Sequence, residues 1–193
     1  MKKDVANQTK EYYNTHAEAY AAATLGVDMQ AAYALFERYL QKGDRILDVG
    51  FGSGRDLLYF ARAGYRAVGI DNCAAFVASA RAAGLEVYEA DLHDIQFAQS
   101  FNGVWANAVL VHSPDLFLAL GNLWKVLKVG GVAYVSLKMN GANVADERYF
   151  APFDEGYLTE CIRRVGFSIE EKLETADQMG RDVRWLSLIL RKC

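Results

Sequence analysis

From residue 44 onward the chain alternates short apolar runs with stretches of helical period, and this alternation limits the fold more than any other feature. RILDV (45–49), RAVGI (66–70), LEVYE (85–89), VWANAVL (104–110) and VAYVSLK (132–138) are β-branched or continuously apolar, as strands covered on both faces are. Between them lie GRDLLYFARAG, CAAFVASARAAG and PDLFLALGNLWKVLK. The last of these carries Leu116, Leu120, Leu123, Trp124 and Leu127 on one helical stripe. Strand–helix–strand repetition requires a parallel sheet wound on both faces by right-handed crossovers. The pattern then changes. DEGYLTECIRRVGF reads as a helix ending at Gly166, and FSIEEKLE and RWLSLILR follow as strands with no helix between them. Two such strands pair as a hairpin, so an antiparallel edge is expected on a mostly parallel sheet.

Residues 1–42 are helical in character, with Tyr13, Ala17 and Tyr20 on one face and Tyr33, Phe36 and Leu40 on another. They are expected to form a helical cap over the sheet edge, with residues 43–193 completing a single α/β domain. A length of 193 residues suits one core, and 52% hydrophobic with 23% charged residues is a globular balance. The net charge of −3 and the lack of a basic stripe argue against a nucleic-acid partner. No apolar run is long enough for a membrane span, and no apolar stretch follows the first lysines as a secretory signal would. Cys73, Cys161 and Cys193 are odd in number and widely spaced, which suits buried free thiols, no metal site and a cytoplasmic location.

The first strand runs into DVGFGSG, residues 48–54, where Gly50, Gly52 and Gly54 alternate before a helix that begins near Arg55. Glycine permits positive φ and close approach of a ligand to the backbone, and amides at a helix start favour an anionic group. In an open α/β sheet this turn is also where ligands bind. A dinucleotide fingerprint fails here. Counting GxGxxG from Gly50 puts Arg55 at the third glycine, and counting from Gly52 puts Leu57 there. That spacing weighs against the competing reading, a nicotinamide-dependent oxidoreductase.

An acid ahead of alternating glycines resembles the signature loop of class I S-adenosylmethionine-dependent methyltransferases. The mixture of YYNTHAEAY, GSGRDLLYFARAGY, WANAVLVH and RYF is similar to small bacterial proteins related to tellurite-resistance methyltransferases. The resemblance implies a Rossmann-like fold with a reversed seventh strand and S-adenosylmethionine as cofactor. It implies cofactor contacts at Asp48, Gly50, Phe51, Gly52 and Gly54. Asp71 and Asn72 would follow on the ribose, Asp91 and Leu92 on the adenine, with Asn107 after the fourth strand and Tyr20 from the cap. Cysteine and serine are usual where this chain has Asn107 and Val109, and the Asn/Asp-Pro-Pro box of nucleobase and glutamine methylases is missing from 107–110. Gly130 and Gly131 are expected to terminate the preceding helix.

His112 is the candidate base, because it follows the fourth strand and its intrinsic pKa suits proton transfer. The bland alternative places it at a helix entry beside Ser113 as the cap. Tyr12, Tyr13, Arg148 and Tyr149 are candidate substrate contacts. The function expected is methyl transfer to a small molecule, nitrogen before oxygen, by a monomer or homodimer. The alternative on the same fold is a protein that binds S-adenosylmethionine without catalysis.

Overall fold

The computed structural model describes residues 2–98, 100–140 and 147–193, with side chains from residue 7 onward. Helices α1 (Lys2–Thr24) and α2 (Gln30–Glu37) precede β1 (Arg45–Val49), α3 (Arg55–Arg62), β2 (Arg66–Asp71), α4 (Ala74–Ala82) and β3 (Val87–Glu89). β4 (Phe101–Ala106), α5 (Leu116–Val126), β5 (Leu127–Lys138), α6 (Glu155–Val165), β6 (Phe167–Ala176) and β7 (Arg184–Lys192) complete the order. The seven strands form one sheet in the order β3-β2-β1-β4-β5-β7-β6. β7 pairs antiparallel with both β5 and β6, so the reversed strand lies one place inside the edge. The expected hairpin is present, and its first strand, β6, takes the outer position.

Side chains alternate across the pleat and build a core on each face. Leu47, Val104, Ala133, Val135, Leu188 and Leu190 face α5 and α6. Ile46, Trp105, Val132, Tyr134 and Ile189 face the other way, towards Tyr33, Phe36 and Phe60. α2 therefore covers the middle of a sheet face, whereas the sequence suggested a cap over the edge. Its close seat requires Gly103 in β4, where a Cβ would stand 2.7 Å from the Phe36 ring. α1, kinked at His16, lies against α4, with Tyr13 and Tyr20 tilted onto Phe76.

Three further readings change. β4 ends at Ala106 rather than at 110, because Ala108 has φ 57 and the chain turns into a short 3₁₀ segment, Leu110–His112. α5 stops at Val126 and β5 begins at once, so Gly130 and Gly131 sit in an irregular stretch of the β4–β5 pairing and do not end a helix. Cys73 and Cys161 are buried free thiols as expected, but Cys193 is exposed. Among the described residues no helix is long and apolar enough to cross a membrane.

If α2 is part of the core, Phe36→Ala should cost about 3–5 kcal/mol, the usual range for deleting a buried phenyl ring. Urea unfolding measures this, and a loss below about 1 kcal/mol would make α2 a dispensable cover.

Candidate active site

The glycine turn leaves β1 with φ 63 at Gly50, 52 at Gly52 and 79 at Gly54. A Cβ on Gly50 would stand 2.6 Å from Val109 Cγ2, and one on Gly52 3.4 Å from the Tyr20 ring. Gly52 N–H donates to Asp71 Oδ2 at 2.9 Å, and Cys73 N–H donates to Asp71 Oδ1 at 2.8 Å. Asp71, at the carboxyl end of β2, thus fixes the turn with one lone pair on each oxygen and keeps a second on each. Burial pushes its carboxyl above the usual range, against the opposing pull of the backbone N–H donors.

A cavity of ≈ 790 Å³, partly open to solvent, lies over this turn. Gly50, Gly52, Asp71, Asn72, Asp91, Leu92, His93 and Asn107 line it from the strand ends, and Tyr13, Tyr20 and Phe76 from the helices. Asp91 accepts from His93 N–H and from His93 Nδ1, both at 2.8 Å, and from Asn72 Nδ2 at 2.9 Å. The His93 hydrogen bond, opposed by burial, holds the Asp91 carboxyl well below its usual range. With Nδ1 donating to the carboxylate, neutral His93 offers Nε2 to the Ser113 hydroxyl at 2.9 Å.

His112 also stands on this wall. Its Nδ1 donates to the Tyr149 carbonyl at 2.6 Å, which leaves Nε2 of the neutral ring to accept from the Tyr13 hydroxyl at 3.0 Å. Arg148 Nη1 donates to the same hydroxyl at 3.3 Å. Burial raises the Tyr13 phenol far above its ordinary value, so it remains a donor at neutral pH. The N-cap of α5 is Asp115, not Ser113, which instead bonds His93.

A second cavity of ≈ 1150 Å³, also partly open, lies beyond the turn. The two share a wall of five residues, Tyr20, Gly50, Gly52, Asn107 and Ala108. The floor of the larger one is a buried polar cluster. Asp56 accepts from Arg55 Nε and Nη2, Tyr33 OH, Trp105 Nε1 at 2.9 Å and Asn107 Nδ2 at 3.3 Å. Burial opposes its charge, but the Arg55 guanidinium and the other donors outweigh this and hold the carboxyl below its usual range. Ser136 Oγ accepts from Ala108 N–H and donates to Asn107 Oδ1 at 2.8 Å. The Asn107 amide is therefore locked with its nitrogen towards Asp56. Ala108, the one described non-glycine residue at positive φ, holds strain at the shared wall.

The sequence-derived candidates separate on these walls. Gly50, Gly52 and Asn107 line both cavities, as does Tyr20, whereas Asp71, Asn72, Asp91, Leu92, Tyr13 and His112 line the smaller and Phe51 the larger. Gly54, Tyr12 and Arg148 line neither, and Tyr149 lines a third cavity. The Arg148 guanidinium lies over the Tyr12 and Phe150 rings. Asp48 is enclosed behind the turn, with Oδ2 bonded to no described residue, and burial followed by the charge of Asp56 raises its carboxyl well above the usual range.

Residues 47–135 match the profile of a protein family described as a methyltransferase domain. An O-methyltransferase of Aspergillus sclerotiorum is 30% identical over an alignment of 157 positions that covers 71% of this chain and 60% of that protein. The chain thus spans less than two thirds of that relative's length. The 1,6-didemethyltoxoflavin-N1-methyltransferase of Burkholderia thailandensis superposes with a TM-score of 0.81 at 21% identity, over 100% of this chain and 90% of that one. A TehB-like S-adenosylmethionine-dependent methyltransferase of Corynebacterium glutamicum gives 0.71 at 23% identity, over 95% and 98%. Residues 47–135 thus carry a methyltransferase domain, on the fold shared with these solved S-adenosylmethionine-dependent methyltransferases.

The residues of this methyltransferase domain fit the cofactor. The glycine turn leaves a cradle that a Cβ at Gly50 or Gly52 would crowd, and the spare lone pairs of Asp71 suit the two ribose hydroxyls. Asp91 and Leu92, on the same wall, would hold the adenine of the bound cofactor. Sequence reasoning missed Arg55, Asp56, Tyr134, Ser136, Asp177, Arg181 and Trp185 of the larger cavity. The available signal was the charged Arg55-Asp56 pair directly after the glycines, which a solvated helix start does not require.

Asp71→Ala should weaken S-adenosylhomocysteine by at least about 1.5–3 kcal/mol, because it removes a charged acceptor and frees the Gly52 N–H as well. In the wild type, a carboxyl raised by burial takes up its proton at higher pH than an ordinary one of about 3.9. Calorimetric affinity should therefore decline on acidification before that value is reached. A folded Asp71→Ala variant with unchanged affinity would remove Asp71 from the site.

Proposed function

We propose that this protein methylates a small-molecule acceptor bound in the larger cavity, with nitrogen rather than oxygen as the accepting atom. The observation that carries this reading is the wall shared by the two cavities. It brings the cofactor cradle and a second chamber together at Tyr20, Gly50, Gly52, Asn107 and Ala108. When bound, S-adenosylmethionine supplies an electrophilic methyl group on a sulfonium centre. The domain's own contribution is then positioning, since a correctly held nucleophile needs little further help. Asn107, fixed by Asp56 and Ser136, and the strained Ala108 backbone orient the acceptor at that wall.

The preference for nitrogen follows from the lack of a base in the chamber. Among the described residues no histidine lines it, its carboxylates Asp56 and Asp177 are already filled with donors, and the third, Asp28, stands exposed at the rim capping Gln30 N–H. A hydroxyl acceptor generally needs a base, whereas a neutral nitrogen presents its lone pair directly. In this reading His112 is a positioning residue that holds Tyr13 over the cofactor. The names of the similar proteins include both an O- and an N-methyltransferase of small molecules, which is consistent with the class of acceptor and neutral on the atom.

The test is transfer of labelled methyl groups from S-adenosylmethionine to candidate amines, heterocycles and phenols, followed by pH–rate profiles of wild type and His112→Ala. The expected loss of kcat in the variant is under about tenfold, with the profile unchanged in shape and some loss of cofactor affinity. A fall of roughly 10²–10⁴ in kcat, with disappearance of a limb near about 6.5, would instead make His112 a base acting on a hydroxyl acceptor.

A further inference from the structure

The larger chamber contains two guanidinium groups among its described lining residues, and each is already neutralised by a carboxylate of the same chamber. Arg55 forks onto both oxygens of Asp56 through Nε at 2.6 Å and Nη2 at 2.9 Å, and its Nη1 donates to the Thr24 carbonyl at 3.1 Å. On the opposite side Arg181 forks onto Asp177 through Nε and Nη2. Asp177 also accepts from Trp185 Nε1 and from Met179 N–H, and it is buried. An anionic ligand that displaced either fork would leave a buried carboxylate without its partner, which is strongly unfavourable, and one that met a guanidinium in place would also meet the carboxylate that neutralises it. The third lining carboxylate, Asp28, is exposed at the rim and caps Gln30 N–H, so the chamber has no positive excess.

Between the two clamps the walls are apolar. Val27, Met29 and Ala32 stand on one side and Leu173, Met179 and Trp185 on the other. The two methionines provide flexible surface that adapts to a ring system, and the Trp185 ring is fixed by its bond to Asp177. The hydroxyl pair Tyr134–Ser187, bonded at 2.8 Å, adds an uncharged polar edge.

We infer that the methyl acceptor is an uncharged molecule with an apolar ring body and neutral hydrogen-bonding edges, and that the paired clamps Arg55–Asp56 and Arg181–Asp177 exclude carboxylate and phosphate acceptors. This rests on the reading of the larger cavity as the acceptor chamber. The clamps act as specificity elements, because each neutralises a wall cation before a ligand arrives.

The experiment uses the full chain saturated with S-adenosylhomocysteine. Calorimetry measures binding of quinoxaline and of its anionic counterpart, quinoxaline-2-carboxylate. In the wild type quinoxaline should bind at least about tenfold more tightly, the scale of one unmatched charged group. Asp177→Asn keeps the shape of the clamp and frees Arg181, while Met179→Arg adds an unpaired cation at an exposed lining position should the first variant fold poorly. Either change should raise carboxylate affinity by about tenfold or more and remove or reverse the wild-type preference for quinoxaline. Equal or tighter binding of the carboxylate by the wild type, or no binding of quinoxaline at millimolar concentration, overturns the inference. Thr175→Trp, which fills the chamber, separates the two levels of argument. Loss of probe binding with S-adenosylhomocysteine affinity retained supports the chamber. Undiminished probe binding in that variant places the probes elsewhere and overturns the reading of the chamber itself.

Discussion

The buried carboxylate of Asp56 is the interaction on which the two halves of the site depend. It stands in the first turn of α3, directly after the glycine turn, and takes donors from Arg55 beside it, Tyr33 of α2, Trp105 of β4 and Asn107 just beyond β4. These groups come from three separate stretches of chain, at residues 33, 55 and 105–107. A charge removed from water is tolerable only when its lone pairs are filled, and here they are. The same bonds that satisfy Asp56 therefore fix α2 on the sheet face and hold Asn107 at the wall between the cavities. Replacing Asp56 would leave a guanidinium, a phenol and an indole N–H unmatched in the interior.

From that centre the functional geometry follows in order. β1 and β2 end side by side, so Asp71 can bond the Gly52 N–H and set the glycine turn. β4 ends level with them, and the positive φ of Ala108 turns the chain so that Asn107 and Ala108 face both cavities while His112 is carried round to the smaller one. β7, reversed between β5 and β6, brings Ser187 and Trp185 to the far wall of the larger chamber, and the turn from β6 supplies Asp177 and Arg181. The reversed strand β7 is thus also what closes the larger chamber.

The cofactor half could be read from the sequence because its signals are local. An acid, three alternating glycines and further acids at successive strand ends each follow an apolar run at short range, and the structure places Asp71 and Asp91 on one cavity wall. The acceptor half could not be read in this way. Its lining joins residues near 24–32, 55–56, 134–136 and 173–187, which only the tertiary fold brings together. His112 was a candidate because it follows a fourth strand that the sequence extended to residue 110. The turn at Ala108 places it on the wall of the smaller cavity, and an alanine in a left-handed conformation gives no warning in sequence. Asp48 was matched by motif to the cofactor, yet the pleat turns it behind the glycine turn into the interior, where it lines neither cavity.

The central claim is that one cavity holds the donor, the other holds the acceptor, and the group is handed across the wall at Asn107 and Ala108. A crystal structure of the protein with S-adenosylhomocysteine tests it most directly. The adenine should lie beside Asp91 and Leu92, the ribose hydroxyls on Asp71, and the sulfur at Asn107–Ala108 facing the larger chamber. An adenosyl group lodged in the larger chamber, or a sulfur directed away from that wall, would contradict the account.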